Sequence, residues 1–237
     1  MKPLMVLAGG FGTRLRSLVS DVPKPLAPVG GHPFIFHLIE HWVAQGIKDF
    51  IFLLHYEATK IQVMLDSISL RPEFDGVKFR VVVEEIPLGT GGAILNAIDF
   101  LGMNEGFLVS NADTWLGSGV AKLALEESSS IAAVYVPNVQ RYGSLQFKGN
   151  KITAFEEKLD TVSKGYVNSG FYHLLPEIFE GFEVGSCFSI ERDVFPRLVS
   201  DRRLGVVKLK ESFIDIGIPT DYLKFCQWVE LGRENEL

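Results

Sequence analysis

Short runs of consecutive apolar residues alternate along this chain with longer stretches in which apolar residues recur every three or four positions. PLMVLA, DFIFLLHY, KFRVVVEE and GFLVSNAD belong to the first kind and are expected to be parallel strands covered on both faces. PFIFHLIEHWVAQG, TKIQVMLDSI, TGGAILNAIDFLG and SGVAKLALEES belong to the second and predict helices between them. In the first of these Ile35, Leu38, Ile39 and Trp42 share a face, and Gly46 stands where a helix end favours a left-handed residue. Four strand–helix units over roughly the first half predict an open, doubly wound α/β sheet whose ligands sit at the carboxyl ends of its strands. Beyond IAAVYVPN the pattern changes. SLQFKGNKITAFEEK predicts a hairpin turning at Gly149-Asn150, and GYVNSGFYHL another strand, so the second half is expected to be more antiparallel. A helix over SIERDVFPRLVS, strands in LGVVKLK and SFIDIG, and a helix over DYLKFCQWVELG complete the pattern.

Composition narrows what such a sheet serves. The 237 residues suit one domain of the larger sort, and a 47% hydrophobic content is ample for its core. A formal charge of -6 argues against dedicated binding of nucleic acid or an anionic membrane, so any anion must be captured locally. Cys187 and Cys226 are far apart and lack metal-type spacing, which predicts ordinary reduced thiols. No long apolar run is present, so a cytoplasmic protein with no membrane partner is expected.

The first loop carries the chemistry. LAGGFGTRLRSLVSDVPKP places glycines and cations directly after the first strand, where close backbone approach and successive N–H groups suit phosphate oxygens. The dinucleotide fingerprint fits in part only: Gly10 and Gly12 match, Leu15 occupies the third glycine position, and no acidic residue follows about 20 residues on. The triphosphatase loop fails, because Arg14 falls where its second glycine is required and Leu15 follows. A glycine cluster alone is as often a plain tight turn.

AGGFGTRL followed by PKPLAPVGGHP resembles the signature of sugar-1-phosphate nucleotidyltransferases. EEIPLGTGGAI, NAD, RYGSL, FEEK, VNSGFYHL and FIDIGIPTDY follow in that family's order over nearly the whole chain. Within the family the pattern most resembles the guanylyltransferases of D-glycero-D-manno-heptose 1-phosphate, then those of mannose 1-phosphate. The resemblance implies a Rossmann-like nucleotidyltransferase fold, a doubly wound mixed sheet with an antiparallel sugar-binding extension. It implies one domain over 1–237, with a nucleotide-binding half of about 1–115 and a sugar-phosphate-binding half of about 116–237. Its partners would be GTP and a sugar 1-phosphate, and its cofactor Mg2+. A role in surface polysaccharide biosynthesis follows from the same likeness. The oligomeric state stays open, a homodimer among the options, and no acyltransferase or repeat extension is expected.

Carried onto this sequence, the family's pattern assigns Leu7, Ala8, Gly9, Gly10, Gly12, Thr13, Glu84, Pro87, Gly89 and Thr90 to the nucleotide. Arg14 would meet the departing phosphates and Lys24 the α-phosphate, while Asp113 and Asp215 would ligate magnesium, which favours hard oxygen donors. Arg14, Lys24 and Asp113 form the catalytic set. Gly143, Glu156, Lys158 and Asn168 would serve the sugar phosphate, and positions 156 and 158 share a strand face. Ala112 departs from the family, which usually carries glycine there. Each of these residues has a plainer reading alone: Asp113 as a turn cap, Asp215 as an exposed strand end, and FEEK as a solvated strand end.

A carboxylate at Glu84 suits guanine, whose N1–H and N2 amino group are adjacent donors, whereas an amide would better suit a pyrimidine. Glu85 is next door, and which of the two faces the base is left open. Uridylyl-, cytidylyl- or thymidylyltransfer, and a non-catalytic nucleotide-sugar sensor, are the rival readings. The five histidines have no ligand spacing and receive no catalytic role.

Overall fold

The structure, a computed structural model, describes residues 1–12, 15, 18, 19, 22–140, 142, 144–156 and 162–233, with the backbone alone at Glu156. Strand β1 spans Leu4–Leu7, and a small antiparallel pair, β2 (Pro28–Val29) and β3 (His32–Pro33), leads into helix α1 (Phe34–Ala44). Then come β4 (Asp49–Leu54), α2 (Ala58–Ser69), β5 (Lys78–Val83), α3 (Gly89–Leu101) and β6 (Phe107–Asn111). The chain continues through β7 (Thr114–Leu116), α4 (Val120–Ala124), β8 (Ser130–Val136), β9 (Ser144–Lys148), β10 (Lys151–Glu156) and β11 (Gly165–Leu174). Helix α5 (Phe195–Ser200), β12 (Gly205–Leu209), β13 (Phe213–Asp215) and α6 (Pro219–Glu230) follow.

Nine strands form one sheet in the order β5-β4-β1-β6-β11-β8-β12-β10-β9. The first four are mutually parallel, as their continuous apolar runs predict. β11 runs antiparallel to both β6 and β8, and the β9/β10 hairpin turns at Gly149-Asn150. One strand departs from the expected antiparallel character of the second half: β12 is parallel to β8. Its Val206 and Leu209 are buried, so its sequence serves a covered strand of either direction. SIERDVFPRLVS also divides, Ile190–Val194 forming one wide π turn before α5. Pro196, which has no N–H to offer the preceding turn, sits at the start of that helix.

Alternation along each strand builds two cores. Leu4, Val6, Phe50, Phe52, Leu54 and Leu108 face one side with Ile35, Leu38, Ile39 and Trp42 of α1, Ile61 and Leu65 of α2, and Phe225 of α6. Met5, Ile51, Leu53, Phe107 and Val109 face the other with Ala93, Ile94 and Ala97 of α3 and Phe195 and Leu198 of α5. Helices therefore cover both faces, and the loops at the strand carboxyl ends are left to form a site. Among the described residues no helix is long and apolar enough to cross a membrane.

Candidate active site

β1 and β6 lie side by side, Leu7 opposite Asn111, and the chain leaving β1 returns to the sheet as β4 toward one edge while the chain leaving β6 and β7 returns as β8 toward the other. That divergence opens a crevice between the two loops. Two cavities occupy it, one of about 200 Å³ lined by Ala8, Gly12, Lys24, Pro25, Ala112 and Gly217, the other of about 320 Å³ lined by Gly9, Phe11, Glu84, Pro87, Gly89 and Thr90. Leu7, Gly10 and Asp113 line both, which makes them one cleft. All nine described residues that the sequence assigns to a nucleotide face this cleft. Thr13 and Arg14 lie outside the described residues.

Lys24 enters from a single turn between Pro23 and Ala27 and is buried. Gly12 makes room for it: at φ +58 it adopts a backbone that side chains disfavour, and a Cβ there would lie 2.9 Å from the Lys24 Cβ. The segment after Lys24 is clamped from two sides. His37 Nε2 of α1 donates to the Val29 carbonyl at 2.9 Å, and the Tyr222 hydroxyl of α6 donates to the Pro28 carbonyl.

The two aspartates converge through a short antiparallel pair. Asp113 leaves β6, Thr114 opens β7, and β7 pairs with β13 so that Asp215 stands opposite Thr114. The Ile216 N–H then donates to the Asp113 carbonyl at 3.0 Å. Between the two carboxylates sits the ammonium of Lys24, 2.5 Å from Asp113 Oδ2 and 3.5 Å from Asp215 Oδ1. Thr114 Oγ1 donates to Asp113 Oδ1 at 3.1 Å and the Gly217 N–H donates to Asp215 Oδ1 at 2.6 Å, fixing both rotamers. A direct ion pair between Lys24 and Asp113 is a feature the sequence reading did not include. The extra methyl of Ala112 is buried against the cleft and leaves Asp113 within reach of Lys24.

No group of three or more potential metal ligands occurs among the described residues. Two hard carboxylates meeting at one point nevertheless fit magnesium, which commonly takes one or two carboxylates and completes its shell with water and substrate phosphates.

At the far end of the cleft Glu84 is buried and Glu85 exposed, which settles which of the two points inward. Glu84 Oε2 accepts the Leu88 N–H at 2.8 Å. Burial pushes the Glu84 carboxyl above the ordinary 4.5, opposed by that hydrogen bond and by nearby His55. Glu84 also lines the cleft, so its carboxyl group is presented to whatever the cleft holds. The following loop is packed down by residues 186–190. Gly91 N–H donates to the Phe188 carbonyl at 3.0 Å, and a Cβ on Gly89, at φ +71, would lie 2.6 Å from that oxygen.

Of the residues assigned to a sugar phosphate, Asn168 lies on β11, where the register with β8 slips by a bulge before Tyr172. Within the bulge Gly170 abuts the Asn111 side chain, itself part of the cleft wall. Glu156 ends β10 opposite Ser144. Gly143 and Lys158 lie outside the described residues. The sequence reading missed Phe11, Asn111 and Gly217. Phe11 carried a signal, a large aromatic among glycines, and the residue is 47% exposed and lines the cleft. Asn111 and Gly217 carried none beyond their neighbours.

A glycine-lined crevice with a buried lysine between two aspartates at a strand-order switch is the kind of site that suits a polyphosphate. The sequence matches the nucleotidyl transferase family over residues 4–230, and the chain belongs to that family. Among its relatives is the D-glycero-alpha-D-manno-heptose 1-phosphate guanylyltransferase of Campylobacter jejuni, 35% identical over 223 residues covering 93% of this chain and 97% of the relative. The mannose-1-phosphate guanyltransferase of Schizosaccharomyces pombe is 32% identical over 228 residues, 92% of this chain and 62% of that longer protein. The crystal structure of HddC from Yersinia pseudotuberculosis complexed with GMP-PN superposes with a TM-score of 0.82 at 36% identity, covering 97% of this chain and 100% of HddC.

Proposed function

We propose that the protein transfers GMP from GTP to a sugar 1-phosphate, D-glycero-D-manno-heptose 1-phosphate first among acceptors, releasing pyrophosphate and forming a GDP-sugar. The observation that carries this reading is the convergence of Lys24, Asp113 and Asp215 at the cleft whose other end holds Glu84. The likeness to two guanylyltransferases over nearly all of this chain supports guanine, and the Campylobacter jejuni relative supports the heptose-type acceptor.

The acceptor phosphate attacks the α-phosphorus in line, and the pyrophosphate leaves. A phosphate monoester has a second pKa of about 6, so the nucleophile is largely ionised at neutral pH and no general base is required. The protein's task is alignment and charge neutralisation. Backbone N–H groups of the Gly9–Gly12 loop cradle the triphosphate, and Lys24, with Arg14, offsets its charge. Glu84 accepts from the guanine edge. Lys158 and Glu156 hold the acceptor, with Asn168 and Gly143 beside them. Magnesium, held by Asp113 and Asp215, would supply further neutralisation of the phosphates when bound. A mannose 1-phosphate acceptor is the second reading, supported by the Schizosaccharomyces pombe relative.

A matrix of the common nucleoside triphosphates against heptose, mannose and glucose 1-phosphates, read by pyrophosphate release, tests the reading. Turnover concentrated at GTP with heptose 1-phosphate is the expected result. Preference for UTP or dTTP overturns the assignment of the base.

A further inference from the structure

Glu191 lines neither cavity of the cleft, yet its carboxylate joins α3, whose Thr90 lines the cleft, to β11, which carries Asn168, the residue assigned to the acceptor. Oε2 accepts from Thr90 Oγ1 at 2.7 Å, at the N-terminal turn of α3, and from Ser189 Oγ at 2.7 Å. Oε1 accepts from the Tyr172 hydroxyl at 3.4 Å on β11. Tyr172, fully buried, in turn accepts from Asn168 Nδ2 at 3.0 Å, and Asn168 Oδ1 accepts the Gly170 N–H at 2.9 Å. Thr90 Oγ1 also accepts the Ile190 N–H at 3.0 Å, locking its hydroxyl proton toward Glu191.

The direction of every proton along this chain follows from one fact: an ionised carboxylate only accepts. Tyr172 must spend its single O–H on Glu191, so its oxygen is free to accept, and the amide of Asn168 must turn its NH2 toward it. One N–H and one oxygen lone pair of Asn168 remain for a ligand. At the other end the same carboxylate holds Thr90, which lines the cleft.

We infer that Glu191 is a positioning residue that couples the nucleotide end of the cleft to the acceptor end, so that a bound nucleotide raises affinity for the sugar 1-phosphate. This rests on the guanylyltransferase reading above. A nucleotide seated against Thr90 stiffens the Thr90–Glu191–Tyr172–Asn168 chain, and the acceptor then meets an Asn168 already ordered. A neutral amide at position 191 can donate as well as accept, which frees Tyr172 and Asn168 to reverse.

The test is calorimetric binding of D-glycero-D-manno-heptose 1-phosphate to the full chain with and without a non-hydrolysable GTP analogue, for wild type, Glu191→Gln and Tyr172→Phe. Couplings between sites are typically about 5- to 150-fold in affinity. Wild type is expected to show such a factor, and both variants to fall to near unity, while Tyr172→Phe, which leaves the Thr90–Glu191 contact in place, keeps its nucleotide affinity within about twofold. A residue of purely structural importance would lower thermal stability and leave the factor unchanged. Tyr172→Phe keeps the core volume, so it serves should Glu191→Gln fail to fold. A coupling factor retained in either folded variant, or absent from wild type that binds the nucleotide, overturns the inference. Failure of wild type to bind any guanine nucleotide overturns the guanylyltransferase reading instead.

Discussion

Replacing Glu84 by Gln probes how the base is read, because the structure dictates which way the new amide must face. Glutamine preserves the volume but exchanges an all-acceptor group for one oxygen and one NH2. The buried Leu88 N–H, now 2.8 Å from Oε2, still needs an acceptor, since leaving it unpaired costs about 1–3 kcal/mol. It takes the amide oxygen, and the NH2 is turned into the cleft, toward the N1–H and N2 amino donors of guanine. One lost charge-assisted hydrogen bond is worth about 1.5–3 kcal/mol, which at about 1.4 kcal/mol per decade lowers kcat/KM for GTP about 10- to 100-fold. The opposed donors add to that loss, whereas uracil, with an acceptor beside its donor, is spared. Initial rates of pyrophosphate release with GTP and with UTP, at fixed sugar 1-phosphate, measure the change. The GTP-over-UTP preference should narrow by about 10²-fold. A folded Glu84→Gln protein that keeps the wild-type preference refutes the assignment of Glu84 to the base.

The remaining expectations concern the same cleft. Asp113→Asn removes one of the two carboxylates facing Lys24 and should lower magnesium-dependent turnover by about 10²-fold or more on a folded protein, and near-normal activity would contradict its role. In Gly92→Ala the new methyl overlaps the Ser186 carbonyl oxygen and lies 2.9 Å from the Leu88 Cβ. Such overpacking costs about 1–3 kcal/mol, a drop of several degrees in Tm by calorimetry, and an unchanged Tm would show that residues 186–190 do not grip α3 in solution. Burial raises the Glu84 carboxyl above 4.5, so its contribution to stability is fully present below the unfolded value and is lost as pH rises through the folded one. Base recognition needs the ionised form and runs the opposite way. The acid limb of kcat/KM for GTP should therefore titrate above 4.5 in wild type and be missing from Glu84→Gln; superimposable profiles would exclude Glu84 as its source.

What was legible in the sequence is whatever depends on neighbours in the chain. The period of apolar residues marks α1 and the parallel strands because a helix face and a two-sided strand each impose their own spacing. GYVNSGFYHL coincides with β11 from Gly165 to Leu174, and the Gly149-Asn150 turn needed only its own dipeptide. The glycine loop could be read for a similar reason, since Gly12 at φ +58 meets a requirement of the local backbone.

The rest was decided by pairing between distant segments, which no local window contains. β7 and β13 are three residues each, too short to show a period, yet their pairing alone sets Asp215 beside Asp113. The ion pair with Lys24, the inward turn of Glu84 rather than Glu85, and the parallel direction of β12 are of this kind. So is the carboxylate of Glu191 between Thr90 and Tyr172. The sequence by itself determined which residue types are available for phosphate, base and acceptor. Tertiary structure decided which of them face one another, because charges and hydrogen bonds act over a few ångströms of space whatever the separation along the chain.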